Sequence, residues 1–264
     1  MKKKWYNTIE KRHSRRKYLD KPVTDNLIKY MNNFIEKLNR QTQAVRGVLV
    51  KDGYERVFKT ILGTYGIIQG ASSYIAFIGD QSDKNIMEKI GYFGEAVILE
   101  ATDQGLGTCW VSGTFKKSEV KKQINLDEQE KVYAVTPIGY CNENYSLIEK
   151  IMKKVISSHD RKDLDELCLG GFKKNWPDWI KTAIKSARLA PSARNKQPWR
   201  FGVKDNKIKI FLDKSTSKQT ISERLDCGIA MLHIELGALH KGVEGKWQLL
   251  ESPEVAIFKA EKQP

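Results

Sequence analysis

The chain has 264 residues, so at about 150 residues per domain it holds between one and two units. Hydrophobic residues make up 40% and there are 19 glycines, ordinary globular usage that excludes a disordered or collagen-like chain. The net charge of +14 and a pI near 9.5 point to a polyanionic partner, a phosphorylated ligand, or a basic solvated surface.

Several classes fall away on simple grounds. No apolar run approaches the roughly 20 residues that a bilayer span requires. The opening Met1-Lys2-Lys3-Lys4-Trp5 stays polar and lacks a signal peptide's apolar segment. Cys109, Cys141, Cys168 and Cys227 are scattered, with no C-x-x-C and no His pair at zinc spacing. They read as reduced thiols of a cytoplasmic protein without a metal site.

In chain order, the first helix follows Pro22. Thr24 can cap it, and Leu27, Ile28, Met31, Phe34, Ile35 and Leu38 recur at helical spacing. A polar stretch, Asn39 to Arg46, precedes a short strand, Val48 to Val50. Tyr74 to Ile78 is an apolar run ended by Gly79-Asp80, a buried strand. A helix over Tyr92 to Gln104 stops at Gly105, and Val132 to Ile138 forms another strand.

Residues Ser146 to Leu167 are charged, without a strong apolar face, as in a linker and crossover. A second series then begins. Trp179, Ile180, Ala183, Ile184, Ala187 and Ala190 form a helical stripe ended by Pro191. Phe201 to Val203 and the alternating Ile208 to Leu212 are strands. Ile229, Leu232, Leu236 and Leu239 mark a final amphipathic helix, and Gly242 to Trp247 is a glycine-punctuated close.

The two series resemble each other. Glu95 to Trp110 and Leu232 to Trp247 align at a constant offset, with Gly105/Gly242, Trp110/Trp247 and Ala101/Ala238 coinciding. More weakly, His13-Ser14-Arg15-Arg16 matches His159-Asp160-Arg161-Lys162. The period is far too long for a solenoid. It suggests two related halves, 1–150 and 151–264, forming a pseudo-dimer in one chain.

Three segments carry candidate chemistry. In extended Arg12-His13-Ser14-Arg15-Arg16-Lys17, alternation places Arg12, Ser14 and Arg16 on one side, two guanidinium forks and a hydroxyl for one anion. Taken alone, this is more readily a solvated basic patch. Between two prolines, Pro191-Ser192-Ala193-Arg194-Asn195-Lys196-Gln197-Pro198 presents Ser192, Asn195 and Gln197 on a stiffened backbone. Gly105-Leu106-Gly107-Thr108-Cys109-Trp110-Val111-Ser112-Gly113 lets a backbone approach a planar ligand. No G-x-G-x-x-G follows a strand and no P-loop lysine motif occurs, which disfavours Rossmann and P-loop sites. His159, His233 and His240 read as structural or surface residues.

Together these segments resemble the nitroreductase family of FMN-dependent oxidoreductases, most closely its fused single-chain subgroup called TM nitroreductases. The fingerprints are Arg-His-Ser-x-Arg at 12–16, Pro-Ser-Ala-x-Asn-x-Gln-Pro-Trp at 191–199 and Gly-Leu-Gly-Thr-Cys-Trp at 105–110, within a likeness spanning about residues 7 to 248. The resemblance implies an α+β fold with a mixed central sheet flanked by helices. It implies FMN held by Arg12, His13, Ser14, Arg16, Trp110, Val111, Ser112 and Gly113 from one half. The other half would add Pro191, Ser192, Ala193, Asn195 and Gln197.

Role by role, Arg12 and Ser14 would meet the phosphate or ribityl chain, with His13 nearby, and Arg16 the pyrimidine edge. Backbone N–H groups of Ser112 and Gly113 would approach N5 and O4, while Gln197 supports its loop. The halves complement each other, since the first has only Asn39-Arg40-Gln41 at the loop position and the second lacks Ser-Gly after Trp247. One FMN per chain is therefore expected, with a monomer or weak homodimer. The family's late Lys-x-Arg has no clear equivalent, with Lys150, Lys153 and Lys154 as stand-ins; Thr64 or Tyr65 would replace a ring asparagine.

The implied activity is hydride transfer from NAD(P)H through the flavin to a nitroaromatic, a quinone or a similar small acceptor. No protein nucleophile is required, so no catalytic residue is assigned. The alternatives are a flavin-binding protein without efficient turnover, which the missing Lys-x-Arg suggests, and a basic nucleic-acid binder. The second ranks last because most aromatics sit on apolar stripes rather than among basic residues.

Overall fold

The structure is a computed structural model describing residues 2–58, 68–146, 149–150, 160–213 and 221–262. It forms two compact units, Lys11–Ile156 and Ser157–Pro264, the latter joined by Met1–Glu10.

In the unit Lys11–Ile156, helix α2 (Asp25–Asn39) buries Ile28, Met31, Phe34 and Ile35, the predicted face. It begins after Thr24, yet the Thr24 side chain makes no cap bond. Its backbone carbonyl instead accepts the N–H groups of Leu27 and Ile28, at 3.0 and 2.9 Å. Strand β1 (Val45–Val50) is longer than its apolar core suggests, because Val45 to Gly47 pair with Phe77 to Gly79. Arg46, expected in a polar linker, sits in this strand with its guanidinium bonded twice to Glu130 at 2.6 Å.

Strand β2 (Ser73–Asp80) is buried from Ser73 through Gly79, as befits an inner strand covered on both faces. After a short helix, α3 (Tyr54–Phe58), lying before it, comes α4 (Ile86–Asp103), which starts well before the predicted Tyr92. Gly105 follows at φ 79°, the left-handed stop expected for it. Strand β3 (Gly107–Thr108), helix α5 (Lys117–Lys121) and strand β4 (Glu130–Gly139) complete the sheet in the order β1-β2-β4-β3. Val57, Phe58, Tyr74, Ala76, Ile78, Val111, Phe115, Val132 and Val135 belong to one core cluster on it. Each such large apolar side chain contributes roughly 1.5–3 kcal/mol on burial.

In the other unit, helix α1 (Lys2–Ile9) has no counterpart in the sequence reading, where three lysines mask Trp5 and Ile9. It docks on α8 (Ile221–His240): Tyr6 stacks on His240 at 3.7 Å and Lys2 pairs with Glu235 at 2.5 Å. Helix α6 (Leu164–Leu167) precedes α7 (Asp178–Arg188), whose buried residues include Trp179, Ile180, Ala183, Ile184 and Ala187. Strands β5 (Trp199–Lys204), β6 (Lys207–Leu212), β7 (Glu244–Leu249) and β8 (Glu254–Lys262) form a sheet ordered β5-β6-β8-β7. The glycine-punctuated close is thus strand β7, and β8 is an added inner strand burying Val255, Ala256 and Phe258.

Helix α8 departs from the amphipathic expectation. Leu225 through Ala238 are buried on every side, so it is a core helix rather than a surface one. A Cβ at Gly237 would lie 2.6 Å from Ala183 Cα, so glycine is what lets α7 and α8 meet backbone to backbone. His233, fully buried, has Nδ1 3.0 Å from the Ser186 carbonyl, a structural placement. His159 lies outside the described residues.

The fold is α+β, and the two sheets share one connectivity: two antiparallel strands, a long buried helix, then two more antiparallel strands. Among the described residues, parallel pairing is confined to single bridges, Ser14–Thr108, Lys17–Gln69 and Cys168–Phe201.

Candidate functional site

The basic segment enters the sheet of its own unit. Ser14 bridges Thr108, and the Arg15 N–H donates to the Thr108 carbonyl at 2.7 Å. The arginine motif and the glycine-rich strand, far apart in sequence, therefore run side by side. The two arginines assigned to a ligand are not at the surface: Arg12 is 6% exposed and Arg16 is half-buried. His13 and Lys17 are exposed.

A carboxylate absent from the sequence reading fixes this segment. Glu149 Oε1 accepts from the Arg16 N–H at 2.9 Å and the Arg15 guanidinium at 3.1 Å. Its Oε2 accepts from the N–H and hydroxyl of Ser146, at 2.9 and 3.0 Å. Burial pushes the carboxyl up, but these donors outweigh it and bring it down to about 2. Arg15 is thereby committed to the protein, which leaves its neighbours Ser14 and Arg16 pointing to other partners by alternation.

The glycine segment is anchored from inside. Trp110 Nε1 donates to Glu95 Oε2 at 2.7 Å, and the ring packs on Phe77 at 5.0 Å. Glu95, fully buried on α4, also faces the Arg12 guanidinium at 3.8 Å. Trp110 and Arg12, assigned to the cofactor by resemblance, thus share one buried carboxylate. Val111 exchanges both backbone bonds with Val135, at 2.9 and 2.8 Å. A side chain at Gly113 would meet nothing within 4 Å and its φ is unexceptional, so packing within the chain does not demand glycine there. Close approach of a ligand is a reason that does.

In the other unit the proline-bracketed loop is bound mostly to its own surroundings. Ser192 Oγ accepts the Gln197 N–H at 2.9 Å, closing the loop. Asn195 Nδ2 donates to the Asp160 carbonyl at 2.7 Å, and Arg161 donates to Asn195 Oδ1. Gln197, buried, donates to the carbonyls of Asp160 and Asn195 and accepts the Lys162 N–H at 2.9 Å. Arg194, Asn195 and Gln197 all have positive φ, 54°, 56° and 49°, a conformation these bonds must hold. Ala193 N–H donates to the buried Asp226 at 3.0 Å. Pro191 leads into the loop from α7.

Whether these residues fit a flavin phosphate and ring is testable on the buried polar atoms. Arg12 Nε, Arg16 Nε and Thr108 Oγ1 are buried and accept or donate no hydrogen bond. Each such orphan costs on the order of 1–3 kcal/mol, recovered by a ligand that supplies the missing partner. All three belong to the basic segment or the strand beside it, and two are guanidinium donors suited to phosphate and carbonyl oxygens. The donor set fits FMN. Among the described residues no group of three or more His, Cys, Asp or Glu could hold a metal ion. The four cysteines are free thiols, and burial raises Cys141 to about 11 and Cys168 to about 12, so neither is a poised nucleophile.

The family described as "Putative TM nitroreductase" matches residues 4–238 by its sequence model. The chain belongs to this nitroreductase family. A solved structure described as a "putative nitroreductase" from Thermotoga maritima aligns over 96% of this chain and 92% of its own. Its TM-score is 0.61 at 20% identity, a likeness of fold. A protein of Mycobacterium tuberculosis named "Putative NAD(P)H nitroreductase acg" is 31% identical over 81 residues. That match covers 29% of this chain and only 24% of the relative's length. An "FMN-dependent Nitroreductase" from Clostridium difficile aligns with 53% of the chain at 19% identity and a TM-score of 0.43.

For this nitroreductase, Glu149, Glu95, Thr108 and Asp226 are the positions that motif reading passed over. Three are acids without a spacing pattern, though Glu95 opens the aligned segment Glu95–Trp110, and Thr108 lay within a quoted motif. Of the stand-ins for Lys-x-Arg, Lys150 is exposed, while Lys153 and Lys154, like Thr64 and Tyr65, lie outside the described residues. No helix among the described residues is long and apolar enough to cross a membrane.

Proposed function

We propose that this nitroreductase is an FMN-dependent oxidoreductase that takes hydride from NAD(P)H and passes it to a nitroaromatic, quinone or similar small acceptor. The observation that carries the reading is the bridge of Ser14 to Thr108 in the glycine-rich strand, beside which Arg16 Nε and Thr108 Oγ1 are buried without a hydrogen bond and Arg12 Nε has only the Glu95 carboxylate at 3.8 Å. Family membership supports an oxidoreductase, and the Mycobacterium relative's name supports the nicotinamide donor.

Bound FMN supplies the hydride chemistry. The chain's part is to bind and to set charge. Arg12, His13 and Ser14 are assigned to the phosphate and ribityl chain, and Arg16 to the pyrimidine edge, where a fixed cation favours the reduced form. Trp110, Val111, Ser112 and Gly113 are assigned to the ring's polar edge through their backbone. Pro191, Ser192, Ala193, Asn195 and Gln197 are assigned to the cofactor by the resemblance, with Asn195 and Gln197 acting by holding the loop. Glu149 and Glu95 keep Arg15 and Arg12 in place for this work. We also propose that the halves 1–150 and 151–264 arose by duplication, which their common strand order supports.

The test is anaerobic mixing of the FMN-loaded protein with NADPH or NADH, followed by a nitroaromatic or quinone. Loss of the visible flavin absorbance and its return with the acceptor are the expected results. Flavin that binds and stays oxidised under both nicotinamides would overturn the enzyme reading in favour of a flavin-binding protein.

A further inference from the structure

In the unit Lys11–Ile156, helix α5 and the first residues of β4 border a cavity of about 310 Å³. That volume is at the small end of the range for ligand cavities. It lies away from the glycine-rich strand. Thr108 pairs with Ile138 near one end of β4, whereas Lys131, on the cavity, is near the other, about 23 Å along the strand. Three ammonium groups border the cavity. Lys117 and Lys121 are one turn apart on α5 and so share a face, and Lys131 comes from β4. None of the three has an ion-pair partner among the described residues; Lys131 stands 5.7 Å above the Tyr133 ring. The acids nearby face other groups. Glu130, which also borders the cavity, accepts from Arg46 through both oxygens at 2.6 Å. Glu119 pairs with Lys122 at 2.7 Å, and Asp80 accepts both the N–H and the hydroxyl of Ser82.

We propose that this cavity binds a small phosphorylated molecule, a phosphate monoester whose dianion lies among Lys117, Lys121 and Lys131. Two ammonium groups one turn apart repel each other, and a shared anion turns that repulsion into attraction. Lysine meets phosphate as a point charge, without the fixed fork of arginine, which suits an anion approached from a helix and a strand at once. Ser118 and Gln81 add neutral donors, and the buried Val132 and the lysine stems give the organic part an apolar wall. No aromatic side chain borders the cavity, so it offers the bases of a nucleic acid nothing to stack on. The site is independent of the flavin reading, since none of its residues is assigned to FMN.

Amide NMR shifts of the whole chain, loaded with FMN and freed of the excess, test the site on titration with AMP up to about 10 mM, tenfold above a millimolar Kd. Shifts at Gln81, Lys117–Lys121 and Lys131–Val132 with AMP, and none there with adenosine, are expected. Lys117→Gln combined with Lys121→Gln should weaken AMP at least roughly tenfold without lowering Tm, because both side chains are exposed. The native affinity should also fall as salt rises from about 50 to about 300 mM. Amides that stay unmoved by AMP overturn the proposal, as does adenosine that moves them equally or an affinity indifferent to the double substitution. Shifts with an oligouridylate but not with AMP would overturn it in favour of nucleic acid. AMP shifts confined to Arg12–Arg16 and Thr108 would overturn it by placing the nucleotide in the proposed flavin site.

Discussion

Glu149 spends both of its oxygens on the segment Arg15–Lys17 and on Ser146, and this gives the basic motif its shape. Its carboxyl is held at about 2, below the ordinary 4.5, so its contribution to stability is complete above pH 4.5. It is lost as pH falls from there through about 2, a linkage worth on the order of 2–3 kcal/mol. Glu149→Gln should remove that acid-side loss and lower stability at neutral pH. Urea unfolding of both proteins at pH 3 and pH 7 checks it: a difference at pH 7 that falls to about half or less at pH 3 is expected. Arg16→Ala, which deletes a half-buried guanidinium whose Nε is buried without a hydrogen bond, should cost roughly tenfold or more in FMN affinity. The same substitution should lower the flavin's reduction potential; equilibrium titration and potentiometry read the two effects separately.

Among the elements, those with uninterrupted apolar runs were legible in advance and those defined by their neighbours were not. Tyr74–Ile78 and Ile208–Leu212 announce strands because burial on two faces or one is written in their pattern. Helix α1 and strand β8 are not announced: a Lys-rich turn and a mixed Val-Ala-Ile-Phe-Lys run become ordered by docking on α8 and by pairing between β6 and β7. The ends of β1 belong to the same class, since Arg46 enters a strand through a bond to Glu130 that no local pattern shows. The site divides in the same way. Its motifs were readable from residue type and spacing, whereas the buried acids that hold them, Glu95, Glu149 and Asp226, come from distant positions. Helix α8 also carries the tightest approach in its unit, at Gly237. Gly237→Val should drive a side chain into the Ala183 backbone and lower stability by about 1–3 kcal/mol or more, seen as a reduced Tm.

For the whole molecule, two units with one strand order account for a length of 264 residues better than a single enlarged domain does. The +14 charge is mostly unrelated to the site. Arg12, Ser14 and Arg16 are the groups the proposed function assigns to an anion, and Arg15 is already neutralised by Glu149. The motifs are also unequal between the halves, with Arg-His-Ser-x-Arg complete only in the first and Pro-Ser-Ala-x-Asn-x-Gln only in the second. One flavin per chain is the stoichiometry we propose. Equilibrium titration of the purified, flavin-free chain with FMN, followed by visible absorption and flavin fluorescence, tests this most directly. Saturation near one FMN per chain is the predicted result; no binding at excess FMN, or saturation at two, would contradict it.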